Sequence, residues 1–322
     1  MVMRLLVFNV GQGDSILVEL PRHGWGLVDC HCAPEQEAPP VLEALERLGI
    51  KDLEFICLSH PDYDHFKGMM AVIRYVHGNG GTVKRFWIFG ALPAREIHKA
   101  YRSALESAIL SADAGPGQEV ITAEEVKYHT HREREFALLA RYLMDRIKQD
   151  QRERRKPEEK QDYRRRFWYR RLTGPALVRT YGDLKLYCLA PTSEVIADYE
   201  SILSAVVANP FCISSRRDRE NNCISVVLSI RFGEAVVMLG GDAGRRQWES
   251  VLTALKDETV VYPVKADFLK TSHHGSRYGC TGEILEAVVS EQVTVVISAD
   301  FTANSYGHPL LSNLAEIPPS AD

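Results

Sequence analysis

The feature that most limits how this chain folds is an apolar strand that runs straight into a cluster of ligand-capable side chains. Residues 55–59 (FICLS) carry no charge and are followed at once by His60, Asp62, Asp64 and His65. In an irregular loop this spacing lets side chains converge on one point. Imidazole nitrogens and carboxylate oxygens suit Zn²⁺, and carboxylates also suit Mn²⁺. The segment therefore predicts a metal site at the end of a buried strand.

Further ligand candidates follow apolar segments in the second half of the chain. Asp242 follows the apolar segment 235–241, and His273 and His274 follow the segment 266–272. Open α/β sheets place their sites at the carboxyl ends of strands, so we expect these side chains to meet the first cluster. Both histidines are chemically capable ligands, and we favour His273. Lys270 is placed similarly, but we expect a solvent-exposed lysine there.

Composition fits a single large α/β domain with room for an insertion. The chain has 322 residues, of which 45% are hydrophobic and 25% charged. Its seven cysteines are odd in number and lack C-x-x-C spacing, which argues against a disulfide framework or a zinc ribbon. The sequence has neither a signal-peptide pattern nor about 18 consecutive apolar residues. We expect a cytoplasmic protein that makes no membrane contact.

Apolar strands alternate with helical patterns along most of the chain, which predicts an α/β sandwich. Strands are predicted at 3–10, 15–20, 25–29, 55–59, 83–89, 184–190, 223–230, 235–241, 266–272 and 293–298. Helices are predicted at 37–49, 66–77, 244–256 and 282–291.

The middle of the chain is different and strongly basic. Residues 132–171 hold 15 Lys/Arg and 8 Asp/Glu, a net charge of +7, although the whole chain carries −4. We predict a mainly helical insertion over 90–175.

The charges and aromatic side chains of this insertion suit nucleic acid, since arginines neutralise phosphates and aromatics stack on bases. Docking of a protein partner through 132–171 and a solvated helix with internal ion pairs are the alternatives. The residues proposed for nucleic-acid contact are Arg164, Arg165, Arg166, Trp168, Arg170 and Arg171. His129 and His131 introduce this region, and either is a candidate replacement ligand.

The segment 59–65 resembles the H-x-[HD]-x-D-H motif of the metallo-β-lactamase superfamily, and Asp62 in its second position makes it most similar to the ComEC-like hydrolase domain group. Other segments resemble that group's blocks: FNVGQGDSILVEL (8–20), LVDCH (27–31), Asn222 with SVVL (225–228), MLGGDA (238–243), LKTSHHGS (269–276) and YGHP (306–309). Asn9 and His31 depart from the usual Asp and Gly. The resemblance implies one αββα domain over 1–322 with the helical basic insertion inside it.

The resemblance also implies two divalent metal ions, Zn²⁺ or Mn²⁺. One would be held by Asp64, His65 and His273, the other by His60 and Asp62, with Asp242 bridging both. The superfamily's third histidine falls on Asn222, a poor ligand, so the second site is expected to be weaker or richer in oxygen ligands.

The implied activity is that of a metal-dependent hydrolase, most similar to phosphodiesterases or nucleases that use a metal-activated water. Asp62 would orient that water or act as a base, and Asp242 and His308 complete the catalytic candidates. Ser276 and Asn304 are candidates for contact with a phosphate. The alternatives are hydrolysis of another ester, such as a phosphorylcholine-type diester or a lactone, and a metal-stabilised partner module that is active only within a larger assembly.

Overall fold

A computed structural model describes residues 2–90, 123–162, 166–208, 222–256, 265–276, 278–279 and 281–298. Several predictions fall outside these ranges, namely those for Arg164, Arg165, Asn304 and His308. The side chains of His129 and His131 also lie outside the described part of the structure.

The first sheet has six strands in chain order, β1 to β6. The first three strands form an antiparallel meander, and β3, β4, β5 and β6 run parallel. The apolar side chains of β3, β4 and β5 are buried, as expected for parallel strands covered on both faces. The strands are β1 (Leu5–Val7), β2 (Ser15–Leu20), β3 (Gly24–Cys30), β4 (Phe55–Leu58), β5 (Arg85–Phe89) and β6 (Trp168–Leu172).

The second sheet also has six strands, in the order β12-β11-β10-β9-β8-β7. Strands β7 to β10 pair antiparallel, while β10, β11 and β12 run parallel. These strands are β7 (Ala176–Tyr181), β8 (Leu184–Ala190), β9 (Val227–Phe232), β10 (Ala235–Leu239), β11 (Ala266–Lys270) and β12 (Val289–Val296).

Helices cover the outer faces of the two sheets. One core cluster joins side chains of both sheets, such as Ile56 and Leu228, to helical residues such as Val72. A second cluster packs Trp248 and Leu285 against the other face of the second sheet. The helices are α1 (Val41–Arg47), α2 (Tyr63–Phe66), α3 (Met69–Gly78), α4 (Ala123–Arg154), α5 (Ser193–Ala208), α6 (Arg245–Lys256) and α7 (Gly282–Val288). The predicted αββα fold class is confirmed.

The basic segment differs from its prediction at the carboxyl end. Helix α4 is present, and its Phe136 and Leu143 are buried against the core. However, Trp168–Leu172 is the edge strand β6, which pairs in parallel with β5, and not a helix. Its Arg170 and Arg171 are exposed, while Leu172 at the end of the strand is completely buried. The predicted boundary at 175 therefore lies beyond a strand of the sheet. Strand β7 and helix α5 were not predicted either.

The described cysteines form no disulfide with one another. Within the described ranges, every helix is either too short or too polar to cross a bilayer.

Candidate metal centre

The site lies where the two sheets meet, at the carboxyl ends of four parallel strands. Asp29 lies near the end of β3, and the loop and short helix that carry His60 to His65 follow β4. In the second sheet, Asp242 follows β10 and His274 follows β11. Side chains from distant parts of the sequence are thereby brought to one edge of the sandwich, as expected for an α/β site.

Three imidazole rings present their Nε2 atoms to the Asp242 carboxylate. His65 Nε2 lies 3.3 Å from Asp242 Oδ1, while His274 Nε2 and His60 Nε2 lie 3.6 and 3.7 Å from Oδ2. Asp62 Oδ2 is 3.5 Å from His60 Nε2, and Asp64 Oδ2 is 3.4 Å from His274 Nε2. Two ligands about 2.1 Å from one tetrahedral ion stand roughly 3.4 Å apart, so these separations suit shared cations.

Hydrogen bonds behind the rings fix which nitrogen faces the centre. His65 Nδ1 donates to Asp29 Oδ2 at 2.8 Å, and His274 Nδ1 donates to the carbonyl oxygen of Ser298 at 2.8 Å. Ser59 Oγ donates to Asp29 Oδ2 and so accepts from His60 Nδ1 at 3.0 Å. In each ring the proton sits on Nδ1 and the lone pair on Nε2, the arrangement found in metal-binding histidines.

The buried atoms at the centre lack hydrogen-bond partners. Among the described residues, Nε2 of His60, His65 and His274 and Oδ1 of Asp242 are inaccessible to solvent and make no hydrogen bond. Such atoms are costly to bury unless something satisfies them. The His60–His65–Asp242 and Asp64–His65–His274 groups each bring three ligand atoms within 4.8 Å. The donor set therefore fits divalent cations.

Mutual attraction between imidazoles and carboxylates governs protonation at the centre when no cation is bound. Burial opposes charge on Asp242, but His274, His65 and His273 hold the pKa of this carboxyl well below its ordinary value. Burial likewise opposes charge on His65 and His274, but Asp242 and its neighbours raise the pKa of both imidazoles. Protons and a metal ion therefore compete for the same nitrogens.

The structure places His274 in this cluster where the sequence favoured His273. Both residues have left-handed backbone conformations, with φ of 46° and 54°, and Gly275 follows at 75°. This turn points the fully buried His274 between Asp64 and Asp242, while His273 remains 27% exposed and 3.9 Å from Asp242 Oδ2. A left-handed non-glycine residue costs about 1–2 kcal/mol, so the fold accepts strain to orient both rings.

Asn222 stands beside His273 in a 3-10 turn. Its Nδ2 lies 3.3 Å from His273 Nε2, and its Oδ1 is buried without a hydrogen-bond partner. An amide oxygen and a second imidazole therefore line the side of the centre where the family pattern expects a third histidine. This side remains the weaker part of the predicted ligand set.

Replacing Asn222 with His is expected to tighten Zn²⁺ binding by about tenfold or more, because an imidazole replaces a neutral amide oxygen. Calorimetric titration of the variant and of wild type measures the difference. Asn79→His, at an exposed position after α3, controls for the addition of a histidine elsewhere. Unchanged affinity in a folded protein would mean that Asn222 is a structural cap or a substrate contact.

Two other predicted positions differ from expectation. Lys270 was expected in solvent but is completely buried beneath the centre, where an ion pair with Asp14 compensates its charge. Ser276, proposed to contact a phosphate, is also completely buried, and its Oγ accepts from the Gly279 amide to close a turn.

Sequence reasoning gave no role to Asp14, Asp29, Ser59 and His31, which surround the ligands. Burial lowers the pKa of His31 to about 4, so this ring is neutral beside Asp64. His31 stands where the resembled group has glycine, and this difference is the sequence feature that could have indicated a role for His31. Asp14, Asp29 and Ser59 have partners up to 284 residues away in the sequence, and nothing in their local sequence indicates these contacts.

The described basic residues do not join the metal centre. Trp168 begins β6 opposite Arg85 at the amino end of the sheet, about 16 Å along the strands from the carboxyl edge. It is 51% exposed, and the Arg154 guanidinium lies 4.5 Å from its ring centroid. Arg170 donates to the Val178 carbonyl, and Arg171 pairs with Glu200 at 3.7 Å. Arg166 donates to the Gln161 side chain.

Residues 8–131 match the family model of the metallo-β-lactamase superfamily. This match, the two-sheet fold and the ligand motif support assignment to that superfamily; the ComEC-like group remains a prediction. No curated protein matches the sequence.

Solved structures resemble the chain at low identity. A diphosphatase from the PhnP family is 11% identical with a TM-score of 0.38, and the match covers 92% of this chain and 86% of that one. Zn²⁺-bound PqqB from Methylobacterium extorquens is 10% identical with a TM-score of 0.35, and the match covers 80% of this chain and 59% of that one. CmlA, a diiron β-hydroxylase from Streptomyces venezuelae, is 9% identical with a TM-score of 0.35, and the match covers 83% of this chain and 34% of that one. The chain thus spans about a third of the length of this hydroxylase.

Proposed function

We propose that this protein is a metal-dependent hydrolase that holds two divalent ions and cleaves phosphodiesters in nucleic acid or nucleotides. The observation that carries the proposal is the set of buried, unpartnered Nε2 atoms facing the Asp242 carboxylate. The ligand set consists of three histidines whose Nε2 atoms face three aspartates, and metal binding explains why these atoms are buried together.

The charge around the centre supports two ions. Among the described residues, the carboxylates of Asp14, Asp29, Asp62, Asp64 and Asp242 lie at or directly behind it, and one ammonium, that of Lys270, pairs with them. With neutral histidines, four negative charges remain. Buried charge is retained in proteins only when it is compensated, and two divalent cations would compensate it.

The residues divide into those that bind and those that handle protons. Divalent ions at this site would lower the pKa of a water molecule and stabilise charge on a phosphoryl oxygen. Asp62 is 14% exposed and lies 3.5 Å from His60 Nε2, which supports a role for its carboxylate in orienting a nucleophilic water or taking its proton. Asp242, nearly buried between the three rings, serves to hold the ions. His308 stays a prediction as the proton donor to the leaving group.

The phosphodiester assignment draws on the resemblance to the ComEC-like group and on the basic, aromatic stretch. A single nucleotide cannot reach both the metal centre and Trp168, since they lie at opposite ends of the first sheet. The stretch therefore contributes only if the substrate is a polymer several nucleotides long. Protein docking and a purely structural role compete with this one, and the pairing of Arg154, Lys156 and Arg171 with acidic side chains of the same chain favours the structural role.

An activity screen tests the proposal. Protein loaded with Zn²⁺ or Mn²⁺ is assayed on single-stranded and double-stranded DNA, RNA, bis-p-nitrophenyl phosphate, a phosphorylcholine ester and a lactone. Asp62→Asn serves as the inactive control. Cleavage of the diesters is expected; hydrolysis confined to the phosphorylcholine ester or the lactone would replace the proposed substrate class.

Changing Arg164, Arg165, Arg166, Arg170 and Arg171 to Gln should weaken nucleic-acid binding and flatten its dependence on salt, because fewer counterions are released. Cleavage of bis-p-nitrophenyl phosphate should survive, since that substrate needs only the metal centre. Trp168→Ala should weaken single-strand binding by about 1–3 kcal/mol if the ring stacks on a base. Fluorescence anisotropy across a salt series measures both effects.

The matched control removes five exposed positive charges elsewhere by changing Arg22, Arg47, Lys51, Arg74 and Lys185 to Gln. If both quintuple variants bind nucleic acid with the same affinity and salt slope, the stretch does not hold a phosphate backbone and is instead a partner-docking or structural element.

A further inference from the structure

We propose that the buried Lys270–Asp14 ion pair is a positioning device for His274, which it keeps in the tautomer and orientation that present Nε2 to the metal. The inference rests on the proposed function, since it assumes that His274 is a ligand. It assigns a role to two residues that the hydrolytic chemistry itself does not use.

The pair is fully enclosed and fully satisfied. Lys270 is the last residue of β11, and its side chain has no exposed surface. Its Nζ lies 2.7 and 2.8 Å from the two oxygens of Asp14 and donates a further hydrogen bond to the Thr271 carbonyl at 2.9 Å. Lysine is almost never completely buried unless it is paired. Asp14 begins the segment that leads into β2, so the pair links the two sheets directly below the ligands.

Two further hydrogen bonds connect the pair to His274. Asp14 Oδ1 accepts from Ser298 Oγ at 2.7 Å, and the Ser298 carbonyl accepts from His274 Nδ1 at 2.8 Å. A carbonyl can only accept, so this contact holds the proton on Nδ1 and leaves the lone pair on Nε2. Removal of the Lys270 charge would leave Asp14 without its cation and free Ser298 to reorient.

The same aspartate also holds a second ligand loop. The Asp14 backbone amide donates to the Asp64 carbonyl at 3.3 Å, so the loop with Asp64 and the turn with His274 are fixed by one residue. Apolar side chains of equal size often stabilise a core as well as a buried ion pair does. Stability alone therefore gives no reason for a lysine here, whereas contact of its Nζ with both Asp14 oxygens fixes the carboxylate that accepts from Ser298.

The test compares metal binding in Lys270→Met and Ser298→Ala with that of wild type. Lys84→Met is the matched control, because it removes a lysine paired with Glu54 at the other end of the first sheet. Zn²⁺ affinity is measured by competition with a chromogenic chelator, and the ligand field by the visible spectrum of the Co²⁺-loaded protein. We expect both test variants to bind one of the two ions about 10- to 100-fold more weakly, with an altered Co²⁺ spectrum. The control should change neither.

Wild-type affinity and an unchanged Co²⁺ spectrum in either folded test variant would overturn the inference. If Lys270→Met does not fold, Ser298→Ala decides, since it removes one hydroxyl and leaves the ion pair in place. Absence of stoichiometric metal from the wild-type protein would overturn the proposed function and this inference together. Normal wild-type binding with unaffected variants would overturn this inference alone.

Discussion

Replacing Asp242 with Asn is expected to abolish binding of at least one ion and to lower hydrolysis by about 10³-fold or more. The two oxygens of Asp242 lie 3.3 to 3.7 Å from the Nε2 atoms of His60, His65 and His274, so this carboxylate adjoins the ligand atoms of both candidate positions. An amide of the same shape is neutral and offers one oxygen. Metal ions contribute several kcal/mol of transition-state stabilisation, and each 1.36 kcal/mol is worth a factor of ten in rate.

The control for this variant is Asp150→Asn. Asp150 is also buried, but it lies in α4, where it pairs with Arg154 and accepts from the Phe167 amide. Its replacement should affect stability without affecting metal content. Elemental analysis of both purified proteins, together with the rate on bis-p-nitrophenyl phosphate, gives the comparison. Full metal content in Asp242→Asn would show that this carboxylate is not a ligand.

In the metal-free protein, the free energy of unfolding is expected to fall as the pH rises above about 6.5. Burial opposes protonation of His65 and His274, but neighbouring carboxylates outweigh burial and raise the pKa of both imidazoles in the metal-free protein. A raised pKa contributes stability that is present below the unfolded value near 6.5 and is lost as the pH rises through the folded value. His31 and His273, whose pKa is lowered by burial, lose their contribution only below about 6.5.

Bound metal should reverse this trend, because deprotonated imidazoles bind it more tightly. At a free concentration of about 100 times Kd, the ion stabilises the fold by about 2.7 kcal/mol. Thermal unfolding in EDTA and in Zn²⁺ across the pH range measures the gap between the two Tm values, which should widen with pH. A gap that is constant or narrows would count against histidine ligands.

Local patterns were sufficient to predict most strands and the main ligand motif. The apolar segment before His60 and the two glycines before Asp242 each indicate a strand followed by a functional loop, and both loops are found there. Trp168–Leu172 was not predicted as a strand because the charged, helix-prone composition of the whole stretch 132–171 was extended over it. Trp168 and Tyr169 are residue types that favour strands, and pairing with β5 and burial of Leu172 decide the outcome.

The choice between His273 and His274 depends on backbone geometry that the sequence does not reveal. Two consecutive left-handed residues decide which ring enters the cluster, and neither is a glycine that would have indicated such a turn. The Lys270–Asp14 pair depends on contact between opposite ends of the chain, so a single sequence offers no pattern for it.

The most direct test of the central claim is the number of metal ions per chain. Protein is loaded with Zn²⁺, separated from unbound ions by gel filtration and analysed by inductively coupled plasma mass spectrometry, with His274→Ala and His273→Ala in parallel. A site built from His60, His65, His274 and Asp242 predicts two ions in the wild type, the loss of one in His274→Ala, and a smaller change in His273→Ala. Wild-type protein without stoichiometric metal, or His274→Ala with both ions retained, would contradict it.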